Sequence, residues 1–91
     1  IAYLIQCLAE AGAKQGLSRD ISTELAERTA LGTAKLLIEK GLSSNELIKM
    51  VASPGGTTIA GLEVLTKSDV KDVLVKTVEK AAKRSKELGK K

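Results

Sequence analysis

Residues 53–62, SPGGTTIAGL, gather the residue types in this chain best suited to receive a small charged molecule. Pro54 ends a helix, because the residue before a proline is pushed out of the helical region. Gly55 and Gly56 can take positive φ and leave bare backbone for a ligand to approach. A helix restarting near Thr57 begins with N–H groups that lack internal acceptors, and with the positive end of the dipole these make an anion site. Either Thr57 or Thr58 can cap that helix, or turn its hydroxyl toward a bound group. Ser53 can brace the loop or simply fix the turn. An ordinary helix-to-helix turn fits the same spacing, and spacing alone does not name the anion.

Other chemistry is closed off by composition. With no histidine and a single cysteine, Cys7, the chain cannot build a histidine-based triad, a Cys-His pair or a four-ligand zinc site from its own residues. Cys7 sits at an apolar helical position and reads as a small core residue. The formal net charge of +4 is uneven: residues 67–91 carry nine basic against four acidic side chains, and residues 1–66 carry six against seven. A basic terminal helix can attract phosphates, yet no aromatic is interleaved for base stacking, and a solvated face accounts for the same pattern.

The elements that must position the hinge are helical throughout. Ile1, Leu4, Ile5, Leu8 and Ala11 share one helix face, with Gly12 and Gly16 bracketing its end. Ser18 caps a long second helix, with Asp20 in its first turn and Gly41 as terminator; Gly32 within it marks a close helix crossing. Ser43 and Glu46 form a capping box for a short third helix. Ile59, Leu62 and Leu65 define a fourth helix, with Gly61 as a second small contact. Ser68 caps a fifth helix striped by Val70, Val73, Leu74, Val78, Ala81, Ala82 and Leu88.

The sequence therefore predicts one all-α domain over residues 1–91 with about five helices, two of them long. A chain of 91 residues hides only about 60 to 65% of its unfolded surface, so packing shared with a second chain is expected. No run of 18 apolar residues occurs, and Ile1 begins inside a helical pattern, which reads as a soluble intracellular chain cut from something longer.

The segment SPGGTTIAGLEVL resembles the signature of pyrroline-5-carboxylate reductases. AYLIQCLAEAG resembles the start of that family's helical domain, RTALGTAKLLIEKG its long second helix and VEKAAKRSKELG its last. The chain departs from the family pattern at Ile1, where proline is usual, at Ile48 and Lys49, and at Val70, where phenylalanine is common.

The resemblance implies the C-terminal half of an enzyme that reduces 1-pyrroline-5-carboxylate to proline with NAD(P)H in the cytoplasm. That half is an interlocking helical homodimer, similar to the C-terminal domain of 6-phosphogluconate dehydrogenases, and it can join into higher assemblies of dimers. It implies that an N-terminal Rossmann domain, absent here, binds the nicotinamide cofactor, so that this chain alone binds none and turns nothing over. It implies that the substrate carboxylate is received on backbone N–H groups around Gly56 and Thr57, with Gly55 and Gly56 permitting the approach, and that the Thr58 hydroxyl meets the ring nitrogen and helps deliver its proton. No metal and no membrane enter. Two other functions compete: a non-catalytic helical module whose basic last helix binds nucleic acid or an acidic partner, and a related reductase acting on another imine or hydroxy acid.

Overall fold

The computed structural model describes residues 1–90. It contains five helices, α1 (Ala2–Lys14), α2 (Arg19–Lys40), α3 (Ser44–Val51), α4 (Thr57–Lys67) and α5 (Val70–Gly89). Among the described residues there is no strand, and no helix is long and apolar enough to cross a membrane. Two compact units divide the chain, Ile1–Ile48 and Lys49–Lys91.

In the first unit, α1 and α2 form a helical hairpin around the short connection 15–18. The Ser18 hydroxyl accepts from the Ile21 N–H at 3.2 Å, as the sequence predicts for a cap, and Asp20 places its charge against the dipole. Gly41 ends α2 at φ 62°, and the Leu42 N–H reaches back to the Leu37 carbonyl at 3.2 Å. That left-handed residue is why glycine stands there. At α3 the capping box closes in both directions: the Glu46 N–H donates to the Ser43 hydroxyl at 3.1 Å and the Ser43 N–H to the Glu46 carboxylate at 3.3 Å.

The hairpin is held by small residues. Ala9, Ser22 and Ala26 are its buried positions, and the Ser22 hydroxyl donates to the Ala9 carbonyl at 2.6 Å. Gly12 faces the same crossing, where a Cβ would collide with the Ser22 hydroxyl. It is a packing glycine inside α1, rather than a marker of the helix end. Gly32 and Gly61, expected at close crossings, have open space where a Cβ would stand, so no neighbour among the described residues requires either. Cys7, expected in the core, is exposed, because the buried seam of α1 runs through Ala9.

One consequence is testable on the chain as it stands. Gly12→Ala should destabilise it by about 1–3 kcal/mol in denaturant melts, the range for overpacking a close contact. Adding Ser22→Ala removes the hydroxyl that the new methyl meets, so the double variant should lose less than the two single losses together. Strict additivity would show that the two positions do not touch.

In the second unit α4 and α5 follow one another with only two residues between them. Ser68 serves both: its hydroxyl donates to the Leu65 carbonyl at 2.6 Å, and the Val70 N–H donates to it at 3.2 Å. The residue flanking α5 is Asp69, whose side chain makes no capping bond, so Ser68 acts one position earlier than a cap would. Val73, Leu74, Val75, Val78 and Leu88 stay exposed along α5.

Candidate functional site

The hinge folds as its composition dictates. The Gly56 N–H donates to the Ser53 carbonyl at 3.0 Å, closing a four-residue turn over Ser53, Pro54, Gly55 and Gly56. Proline at the second position supplies the fixed φ, and Gly55 at the third sits at φ 75°. This is the pattern of a type II turn, in which the third residue must be left-handed. Gly56 is not left-handed: it is extended, at φ −85° and ψ 173°. Its need for glycine is spatial, since a Cβ there would stand 3.0 Å from the Ser53 hydroxyl and 3.1 Å from the Ser53 carbonyl oxygen. Ser53 thus braces the turn through its main chain.

α4 starts immediately after the turn, with Gly56 as the flanking residue and no side-chain capping bond. Neither threonine caps the helix. The first intrahelical acceptor in use is the Gly56 carbonyl, which receives the Ala60 N–H at 3.3 Å. Among the described residues, the N–H groups of Thr57, Thr58 and Ile59 consequently have no acceptor, while that of Gly56 is spent inside the turn. Three unsatisfied donors at the positive end of an 11-residue helix, beside a turn whose last two residues are glycines, are suited to a carboxylate or a phosphate.

The hydroxyls differ from their counterparts elsewhere. Thr66 and Thr77 bond back to helix carbonyls, at 3.4 and 2.7 Å. Thr57 and Thr58 are exposed and hold no such bond, so both hydroxyls remain available to a ligand seated on the helix end. Ser53, Gly55, Gly56, Thr57 and Thr58, the residues singled out in the sequence, stand together on one turn and the first residues of one helix. Ile59 joins them through its backbone alone, a contribution its side-chain type does not signal.

Elsewhere the chemistry is thin. Among the described residues no group of histidine, cysteine or carboxylate side chains is placed to hold a metal. The cations of α5 are interleaved with Asp72, Glu79 and Glu87, and Arg84 is paired with Glu87 at 3.1 Å. No aromatic lies on that helix. A nicotinamide dinucleotide needs a strand leading through a glycine loop into a helix to hold its pyrophosphate. The described residues offer no such strand, so they do not fit that group.

A sequence family described as Pyrroline-5-carboxylate reductase dimerisation matches residues 1–88. The pyrroline-5-carboxylate reductase of Synechocystis sp. is 44% identical over 91 residues, covering 100% of this chain and 34% of that protein. That of Methanosarcina acetivorans is 40% identical over 88 residues, covering 97% of this chain and 33% of its own length. Among solved structures, Plasmodium falciparum pyrroline carboxylate reductase with NADP bound superposes with a TM-score of 0.88 at 36% identity, over 97% of this chain and 34% of that one. The chain thus spans about a third of the length of the relatives it matches.

Proposed function

The chain belongs to the pyrroline-5-carboxylate reductase dimerisation family, and on that premise we propose that it is the dimerisation and substrate-binding part of a longer reductase. The whole enzyme reduces 1-pyrroline-5-carboxylate to proline with NAD(P)H, and the step belongs to proline biosynthesis in the cytoplasm. The single observation that carries this is the end of α4: three backbone donors without acceptors, two unengaged hydroxyls and a glycine turn that keeps side chains away.

Each residue then has a physical task. The N–H groups of Thr57, Thr58 and Ile59 receive the substrate carboxylate, and the helix dipole favours its charge. Gly55 makes the turn possible, and Gly56 keeps the approach clear. The Thr58 hydroxyl hydrogen-bonds the ring nitrogen, fixing the ring's orientation and holding a proton at the atom that becomes the amine. The nicotinamide cofactor, which supplies the reducing equivalent, is held by a Rossmann domain outside this chain. The chain is one helical domain of that enzyme and assembles as a homodimer, in which the apolar residues left exposed on α2 and α5 are covered.

The direct test is a substrate panel on the full-length protein with NADPH and NADH. Turnover of 1-pyrroline-5-carboxylate well above that of other cyclic imines and of hydroxy acids is the expected result. A preference for one of those other classes would overturn the substrate, while leaving the fold untouched.

A further inference from the structure

The joint between α4 and α5 hangs on one hydroxyl. Only Ser68 and Asp69 separate Lys67, the last residue of α4, from Val70, the first of α5. The Ser68 O–H donates to the Leu65 carbonyl at 2.6 Å, where the Ser68 N–H also arrives at 3.2 Å, and the same hydroxyl oxygen accepts from the Val70 N–H at 3.2 Å. It clasps the last turn of α4 to the first turn of α5. Among the described residues no other side-chain hydrogen bond and no ion pair joins the two helices: Thr66 bonds back within α4, while Thr77 and the pair Arg84 and Glu87 stay within α5. Asp69, the other joint residue, makes no capping bond.

The opposite end of α4 carries the candidate site, and it is held far less firmly. The helix has no buried residue and no side-chain cap at its start. The turn before it ends in Gly55 and Gly56, whose backbone can follow a small rotation at little cost. α4 is thus a lever pivoted at Ser68. Its 11 residues span about 16 Å, so a rotation of about 5° at the joint moves Thr57, Thr58 and Ile59 by about 1.4 Å. A misplacement of about 1 Å can cost roughly 10² in rate.

We infer that Ser68 is a positioning residue for the reaction, its hydroxyl setting the direction in which α4 presents the substrate. The inference rests on the function proposed above, and it gives Ser68 no contact with the substrate. The three N–H donors and the Thr58 hydroxyl ride on α4 together, so a tilted helix still binds the carboxylate and the ring nitrogen. What changes is where the ring stands relative to the reducing group, which is held outside this chain. Loss of the clasp therefore lowers kcat and spares KM.

Three variants separate a clasp from a simple helix cap. Ser68→Ala loses both side-chain bonds. Ser68→Asp keeps an acceptor for the Val70 N–H, yet an ionised carboxylate has no proton to give the Leu65 carbonyl and repels it. Ser68→Thr keeps donor and acceptor. In the full-length enzyme, with 1-pyrroline-5-carboxylate as substrate, Ser68→Ala and Ser68→Asp should each lower kcat by about tenfold and hold KM within about twofold of natural, while Ser68→Thr should hold both constants. In this chain, residual dipolar couplings of the backbone amides should keep their size along α5 and shrink along α4 in Ser68→Ala and Ser68→Asp, and stay natural in Ser68→Thr.

Natural kcat in Ser68→Asp would reduce Ser68 to a cap of α5 and overturn the inference. Unchanged couplings in Ser68→Ala would overturn it as well, because α4 would then be aimed by other contacts. Shrunken couplings with natural kcat would show that the aim of α4 does not govern the rate, which overturns the positioning role. A natural enzyme that reduces no cyclic imine would instead overturn the proposed function and the role of Ser68 with it, while the couplings would still report the clasp.

Discussion

Replacing Thr58 with alanine in the full-length protein is expected to lower kcat by roughly 10², the effect typical of a positioned proton-transfer group. The backbone N–H of residue 58 survives the substitution, so the carboxylate keeps its donors and KM should change little. That split between kcat and KM separates a hydroxyl acting on the ring nitrogen from one that merely supports the helix end. Thr58→Ser, which retains the hydroxyl, should recover most of the rate. Thr57→Ala is the internal comparison: its hydroxyl is equally unengaged, yet only its N–H has a task, and the rate should hold. A Thr58→Ala enzyme with full kcat would remove this hydroxyl from the chemistry.

Replacing Gly56 with valine should act on the other constant, raising KM by roughly 10² with a smaller change in kcat. A Cβ at position 56 meets the Ser53 hydroxyl at 3.0 Å and the Ser53 carbonyl oxygen at 3.1 Å, and the carbonyl cannot yield without breaking the bond that closes the turn. The turn then opens, and the donors of Thr57 and Thr58 lose their common aim. Two charge-assisted hydrogen bonds of about 1.5–3 kcal/mol each are at stake, so a hundredfold loss in binding needs only part of them. Pairing the variant with Ser53→Gly relieves the side-chain contact but not the carbonyl one, and should restore little. Saturation at normal substrate concentration in Gly56→Val would place the carboxylate elsewhere.

The hinge and the helix ends were readable from the chain because their physics is local. A left-handed residue at Gly41, a hydroxyl three residues before an orphan N–H at Ser18 and the reciprocal pair Ser43 and Glu46 involve neighbours in sequence, and residue type nearly determines them. So does Pro54 followed by Gly55. What escaped depends on residues distant in sequence. Gly12 looks like punctuation until Ser22 is placed against it, and Ser22 looks like a surface serine until the Ala9 carbonyl is found 2.6 Å away. A clue was present in the small residues Ala9 and Gly12 facing Ser22 and Ala26 at helical spacing, but which helix would receive them is a tertiary fact. Gly32 shows the converse, a plausible crossing that none of the described residues fills. At the site itself, a glycine outside the helix left both threonine hydroxyls unclaimed, which residue type alone does not decide.

The bareness of α5 has a consequence for how the protein fares in a cell. Val78 is 68% exposed and Leu74 43%. In the homodimer proposed above this face is covered, so a newly made copy without a counterpart displays the kind of apolar surface that chaperones and proteases act on. By mass action, its survival rises with its own concentration. Synthesis at low level should therefore yield a disproportionately short-lived protein. A destabilised allele produced beside a sound one would be rescued or poisoned according to which copies it pairs with, so inheritance of a defect need not be simply recessive.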